Sequence, residues 1–310
     1  MNYEQFKEKV LDEFIAYLGE DYSDYQLKVN EIRKVNAKLT GVSVAPSRPP
    51  ESYAAPTFYI EPMYEDYKES GDYNAVMKST SEMITRALKN KKPDIPCFSA
   101  NSLLENVVLQ LIGIQGNEDY IKDLPHRTFL DMAVIYRRII SIDEYGVMSF
   151  VIDKDLAEHA NLTEKQLFAK AYSNTGRMLE PVCKDMKKML SELSDELPLS
   201  EEDDISGPDI MVLTNRHKYL GATALLYPEV FEKIAVDLNS DLVIIPSSVH
   251  DLIILTDNEA YNRKSLCAMI EDVNCNHMNK SDVLSFNVYG YKKGEHEITY
   301  YDNLVENVAG

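Results

Sequence analysis

Residues 128–152 read TFLDMAVIYRRIISIDEYGVMSFVI, and the pattern of that stretch decides the fold. Thr128 to Ile142 is rich in β-branched and aromatic residues and is long enough to cross a sheet. Asp143-Glu144 is a turn pair, and Tyr145 to Ile152 returns as a second strand. The centre of the chain is therefore expected to be an antiparallel pair with a short connection. Upstream, Val107 to Ile114 reads as another strand. Leu27 to Val35 and Lys38 to Val44 read as strands around Asn36-Ala37, and Thr57 to Ile60 as one more. Downstream, Ile210 to Thr214, Leu242 to Ile245, Leu252 to Leu255, Val283 to Tyr289 and Glu297 to Tyr301 continue the series.

Helices separate these runs. Phe6, Val10, Phe14 and Leu18 recur every four residues, one apolar stripe from Tyr3 to Leu18 that Gly19 ends. Asp72 is a good N-cap for a helix to about Asn90, with Val76, Met83, Ile84, Ala87 and Leu88 inward. Asp153 and Thr163 cap two more helices, the second reaching about Asn174. Pro181 to Leu193, Pro228 to Leu238 and Glu259 to Val273 (behind an Asp257 cap) complete the set. Strands and helices mix without strict βαβ alternation, which predicts an α+β fold with mixed, largely antiparallel sheets and two subdomains. Pro46, Pro49, Pro50 and Pro56 make the connection near residue 50 a loop.

The 310 residues carry 51 acidic and 32 basic side chains, a net charge of −19. Residues 201–310 hold 19 acidic and 8 basic side chains, a net of −11. Nonspecific nucleic-acid binding needs surplus Lys and Arg, so that class is disfavoured. From Glu192 to Asp204 there are seven acids and no base. Such a block reads as a solvated linker or as an acidic partner surface, even a nucleic-acid mimic. The expected layout is an N-terminal subdomain at 1–193, an acidic linker at 194–208 and a C-terminal subdomain at 209–310. No apolar run reaches a membrane span, and no signal-peptide pattern precedes Asp12 and Glu13. A cytoplasmic protein is expected.

Three strings are distinctive: Ala55 to Glu61 with Tyr64, Tyr67 and Gly71; Asp123 to Ala133; and Ala222 to Pro228, followed by Ser240-Asp241-Leu242 and Ile245 to Asp251. Together they resemble an uncharacterised bacterial family, a domain of unknown function in anaerobic Gram-positive gut bacteria and their mobile elements. The resemblance spans nearly the whole chain. It implies no established activity and supplies no catalytic residue; the mobile-element association implies a regulatory or anti-defence role, by analogy.

Ser247, Ser248, His250 and Asp251 form the densest polar cluster, between two apolar runs. A hydrolase would use a serine, His250 and Asp251 in line, but residues this close in sequence seldom align so, and no G-x-S-x-G elbow exists. The other reading is a turn whose side chains bond main-chain N–H groups. His126 and Arg127 precede the central strand and could hold an anion or serve the junction. Asn215-Arg216-His217-Lys218 is a locally basic spot, either an anion grip or a solvated turn. Twenty tyrosines and no tryptophan suit a contact surface, with Tyr59, Tyr64 and Tyr67 the best candidates; codon bias would give the same count. Cys267, Cys275 and His277 match no chelating spacing, so no metal is expected, nor any cofactor.

The expectation is a non-catalytic accessory or regulatory protein that binds another macromolecule, a protein partner, through an acidic, tyrosine-bearing surface. The alternative is a hydrolase-like enzyme using His250 or His126.

Overall fold

The computed structural model describes residues 1–48, 55–89, 99–143, 146–186, 210–257 and 262–301. The fold is α+β, and every strand pairing described is antiparallel. The chain divides into two compact units, Met1–Cys97 and Phe98–Gly310. Among the described residues no helix is long and apolar enough to cross a membrane.

The first unit opens with α1 (Tyr3–Leu18). Asn2 and Gln5 form a reciprocal capping box, which satisfies N–H groups that the first turn leaves unbonded. The helix buries Phe6, Val10, Phe14 and Leu18 and ends at Gly19, whose φ of 95° an L side chain rarely adopts. β1 (Tyr25–Lys34) and β2 (Ala37–Pro46) pair through a tight turn in which Asn36 has a φ of 57°. β3 (Thr57–Tyr59) adds to β2. α2 (Ile60–Ser70) then starts without a break, where the sequence suggested only the end of a strand. α3 (Tyr73–Lys89) is capped by Asp72, which accepts from Ala75 N at 3.0 Å. Its buried face is Tyr73, Val76, Met77, Ser81 and Ile84; Met83 and Ala87, expected inside, are exposed, because the buried row follows 73, 77, 81 and 84.

The second unit begins with α4 (Ala100–Glu105), β4 (Val107–Gly113) and α5 (Glu118–Ile121). The stretch expected as one long strand is a hairpin, β5 (Arg127–Phe129) and β6 (Met132–Asp143). Leu130 turns the chain with a φ of 54°, a conformation for which a leucine gives no sequence signal. β7 (Gly146–Val151) pairs with β6, as expected, and the sheet order is β4-β6-β5 with β7 also on β6. α6 (Lys154–His159) and α7 (Glu164–Met178) are capped by Asp153 and Thr163, as their side chains predict. α7 lies on β4: Asn174 donates to the Leu104, Glu105 and Val107 carbonyls.

Pro181–Asp185 is a strand, β8, not the first turn of a helix. It pairs with β9 (Ile210–Asn215), which bonds the main-chain groups that β8 turns toward it. α8 (Pro228–Leu238), β10 (Leu242–Ile245) and β11 (Leu252–Thr256) follow. α9 (Arg263–Asn276) is capped by Asn262 rather than by Asp257, whose carboxylate is instead bonded to Tyr301. β12 (Tyr289–Tyr291) and β13 (Ile298–Tyr300) finish the six-stranded order β13-β12-β10-β11-β9-β8. Residues 283–288 are not strand. One core unites the two sheets, from Leu109, Leu111 and Tyr136 to Leu213, Phe231, Ile244 and Ile254. The division expected between 194 and 208 thus differs from the observed one at residue 97, because β8 and β9 on either side are hydrogen-bonded neighbours. The acidic run itself lies outside the described residues.

Candidate functional site

In an antiparallel ladder, residues alternate between bonding the neighbour and pointing away. Tyr301 N donates to Val288 O at 3.0 Å, which makes Val288 and Tyr301 a bonded pair. Two steps along the same register lies Gly290 opposite Thr299, the next bonded pair. The N–H and C=O groups of Ile298 and Tyr300 therefore point away from β12. β13 is the last strand of its sheet, and among the described residues these four groups have no partner.

The edge of the other sheet behaves alike. Ile114 N donates to Asp131 O and Ile139 N to Asn106 O, so odd-numbered residues of β6 bond on the β4 side. Met132 and Val134 then bond Phe129 and Arg127 of β5, and Thr128 between them points its N–H and C=O outward.

Both edges border one cavity of about 430 Å³. Phe129, Phe168, Leu225 and Ile298 give it apolar walls, and Thr128 and Glu297 stand at polar positions. Arg127 is fixed on its wall: Nε donates to Glu164 Oε1 at 2.8 Å, Nη2 to Oε2 at 3.0 Å, and the guanidinium lies 3.3 Å from the Phe168 ring centre. The Tyr136 hydroxyl also donates to Glu164. Burial alone would raise the Glu164 carboxyl, but hydrogen bonds from Arg127 and Tyr136 and the Arg127 charge hold it below the usual carboxylate range. The pair is a closed unit that shapes the cavity. His126 is exposed, with Nδ1 2.9 Å from the Leu124 carbonyl.

The far end of β13 borders a second cavity, of about 330 Å³, lined by Asp241, Asp257, Tyr291, Thr299, Tyr300 and Tyr301 among others. Asp257 accepts from the Tyr301 hydroxyl at 2.7 Å, and Asp241 from Lys293 N at 2.9 Å. Lys292 also lines it, with Nζ 3.9 Å from Glu295. Burial, then the hydrogen bond to Glu232, pushes the Tyr291 hydroxyl up to about 12. Acidic side chains and tyrosines thus meet here, on residues that sequence reasoning did not select. The signal that could have found them is the row of Tyr289, Tyr291, Tyr300 and Tyr301 in two closing strands.

Ser247 to Asp251 lies elsewhere. Ser248 Oγ accepts from His250 N at 2.9 Å, Ser248 N donates to Asp251 O at 3.1 Å, and Ser248 Oγ is 3.3 Å from Asp251 Oδ2. The His250 side chain accepts from Leu220 N at Nδ1, 3.2 Å, with Nε2 3.8 Å from Asp282. Its carbonyl accepts from Gly221 N and the Thr214 hydroxyl. These are the bonds of a turn docked on residues 214–222; Ser247 is half-buried beside them. Arg216 and His217 belong to the loop held by that turn, in which Lys218 and Leu220 are left-handed.

Tyr59, Tyr64 and Tyr67 are half-buried in the first unit. Tyr64 and Tyr67 pack on Phe6 with ring centres 5.3 Å away, and Lys34 Nζ lies 4.9 Å from the Tyr59 ring centre. Among the described residues no group of three or more His, Cys, Asp or Glu side chains is arranged to hold a metal.

A two-unit α+β protein whose second unit carries, among the described residues, an unpaired strand edge between two cavities is the class these features define. The chain belongs to the family of unknown function DUF5688, whose model matches residues 3–293. No curated protein and no solved structure matches it.

Proposed function

We propose that this is a non-catalytic accessory or regulatory protein that binds a protein partner through an acidic, tyrosine-bearing surface of its second unit. The cavity of Asp241, Asp257, Tyr291, Tyr300 and Tyr301 carries this reading. Tyrosine gives contact area with a polar tip, and paired carboxylates favour a basic partner. The reading extends to a bacterial, cytoplasmic setting and a mobile-element or anti-defence role, which rest on the family resemblance and the sparse cysteines. Affinity capture of the full chain from its native cells, wild type beside an Asp241→Asn/Asp257→Asn variant, tests it. A protein retained by the wild type and lost from the variant is expected. Capture indifferent to both aspartates overturns the reading, as does a turnover reaction abolished by His250→Ala or His126→Ala in a folded protein.

A further inference from the structure

We infer that β13 is a docking edge for an extended peptide, added to the six-stranded sheet as a further strand, with a bulky apolar residue in the Arg127 cavity and a basic residue in the Asp241–Asp257 cavity. This rests on the proposed binding role and specifies how the partner is held. Ile298 and Tyr300 present outward N–H and C=O groups with no partner among the described residues, and main-chain pairing is what an extended peptide offers.

The two cavities are reached in order along the strand. Glu297 and Ile298 border the first, Thr299 and Tyr300 the second. Ile298 packs with Ile244 on one face of the sheet and Tyr301 with Val243 on the other, and neighbouring residues of a strand point to opposite faces, so the apolar and basic residues of the occupant fall an odd number of positions apart. Thr128, on the wall of the first cavity, offers one more outward main-chain pair. The apolar walls supply burial and the aspartates supply charge complementarity.

The same charge identifies the occupant. Two copies of a chain at −19 repel, and an acidic segment would meet Asp241, Asp257 and the exposed Glu297, so the fitting partner is a different protein with a neutral-to-basic strand. A peptide docking as a helix would leave the edge amides unpaired.

The test uses the full chain and a phage-displayed library of random dodecapeptides, with selected sequences remade as synthetic peptides. Selected peptides are expected to pair an aromatic or large aliphatic residue with Lys or Arg one or three residues away. Asp241→Asn/Asp257→Asn should weaken them at least tenfold. Methylating alternate peptide nitrogens should weaken binding in a period of two. Bound peptide should slow amide exchange at Ile298 and Tyr300, while Thr299, already bonded to Gly290, changes little. No enrichment, binding without protection of those two amides, or protection that rises with protein concentration in the absence of peptide (a second copy as occupant) each overturns the inference. If the native partner is lost from the aspartate variant but leaves Ile298 and Tyr300 exchanging freely, the binding role stands and strand addition falls. If peptides behave as expected but native capture ignores the aspartates, the edge stands and the proposed role falls.

Discussion

In the first unit, Tyr64, Tyr67 and Tyr73 surround Phe6 with ring centres between 5.3 and 5.7 Å away. In the second, Tyr291, Tyr300 and Tyr301 border a cavity beside two aspartates. One residue type thus closes a small core in one place and lines an opening in the other. The difference lies in what surrounds each set. α1, α2 and α3 bring apolar residues to Tyr64, Tyr67 and Tyr73, whereas among the described residues the short strand β13 has a strand neighbour on one side only. Tyrosine count therefore says little about contact surface until strand order is known.

The contrast is broken most strongly at Phe6. Phe6→Ala should cost about 3–5 kcal/mol in the first unit, the usual loss for a buried aromatic, while amide exchange in β10 to β13 stays as in the wild type. Equal loosening of the β10–β13 amides would mean that the two units share their stability. Gly221→Ala is the corresponding blow to the second unit. A Cβ there would meet His250 O at 2.3 Å and Thr214 Cα at 2.8 Å. Backbone atoms cannot step aside cheaply, so a loss of roughly 1–3 kcal/mol is expected, read by urea unfolding.

Acid sharpens the comparison. Glu61 accepts from Tyr3 and Thr40 in the first unit, as Glu164 accepts from Arg127 and Tyr136 in the second. Burial pushes each carboxyl up, but the hydrogen bonds prevail and both lie below their ordinary value. A carboxyl lowered by folding stabilises above its unfolded value, about 4.3, and that contribution is lost as pH falls through the lower folded value. Both units should weaken below about pH 4. Glu164→Gln should cost about 1 kcal/mol at neutral pH, since the ion pair is partly exposed, and should flatten the acid limb of the second unit alone. An unchanged limb there would remove Glu164 from the account.

The smallest effect is at the docked turn. His250→Ala should lower stability by about 1 kcal/mol, because Leu220 N loses its acceptor. Asp251→Ala should cost less, its 3.3 Å contact with Ser248 being weak. The sequence suggests the reverse order, since Asp is the commoner turn former and nothing local reveals that residue 220 reaches back to the imidazole. Paired melting temperatures decide between them.

Legibility in the sequence followed locality. The Asp72, Asp153 and Thr163 caps and the stripe of α1 could be read because each depends on residues within one or two turns. The β5–β6 turn could not, since the residue that turns the chain, Leu130, is not a turn former by type. β8 could not either, because its strand state depends on β9, 26 residues away at the nearest pair, Asp185 and Met211. Arg127 was legible as a candidate, whereas its partners Glu164 and Phe168 were not. Edge position, on which the docking site rests, is a property of sheet order and has no local signature.

Asp131 accepts from Ser285, Asn287 and Tyr289 at 2.7, 3.1 and 2.5 Å. Those partners are made on the ribosome more than 150 residues after it, and the sheet that holds them is completed by β13. The first unit, continuous in sequence, can fold while synthesis proceeds; the second must wait with its central hairpin unanchored until the last strands have left the exit tunnel. A chain truncated before Tyr289 should therefore carry a native first unit behind an aggregation-prone second one.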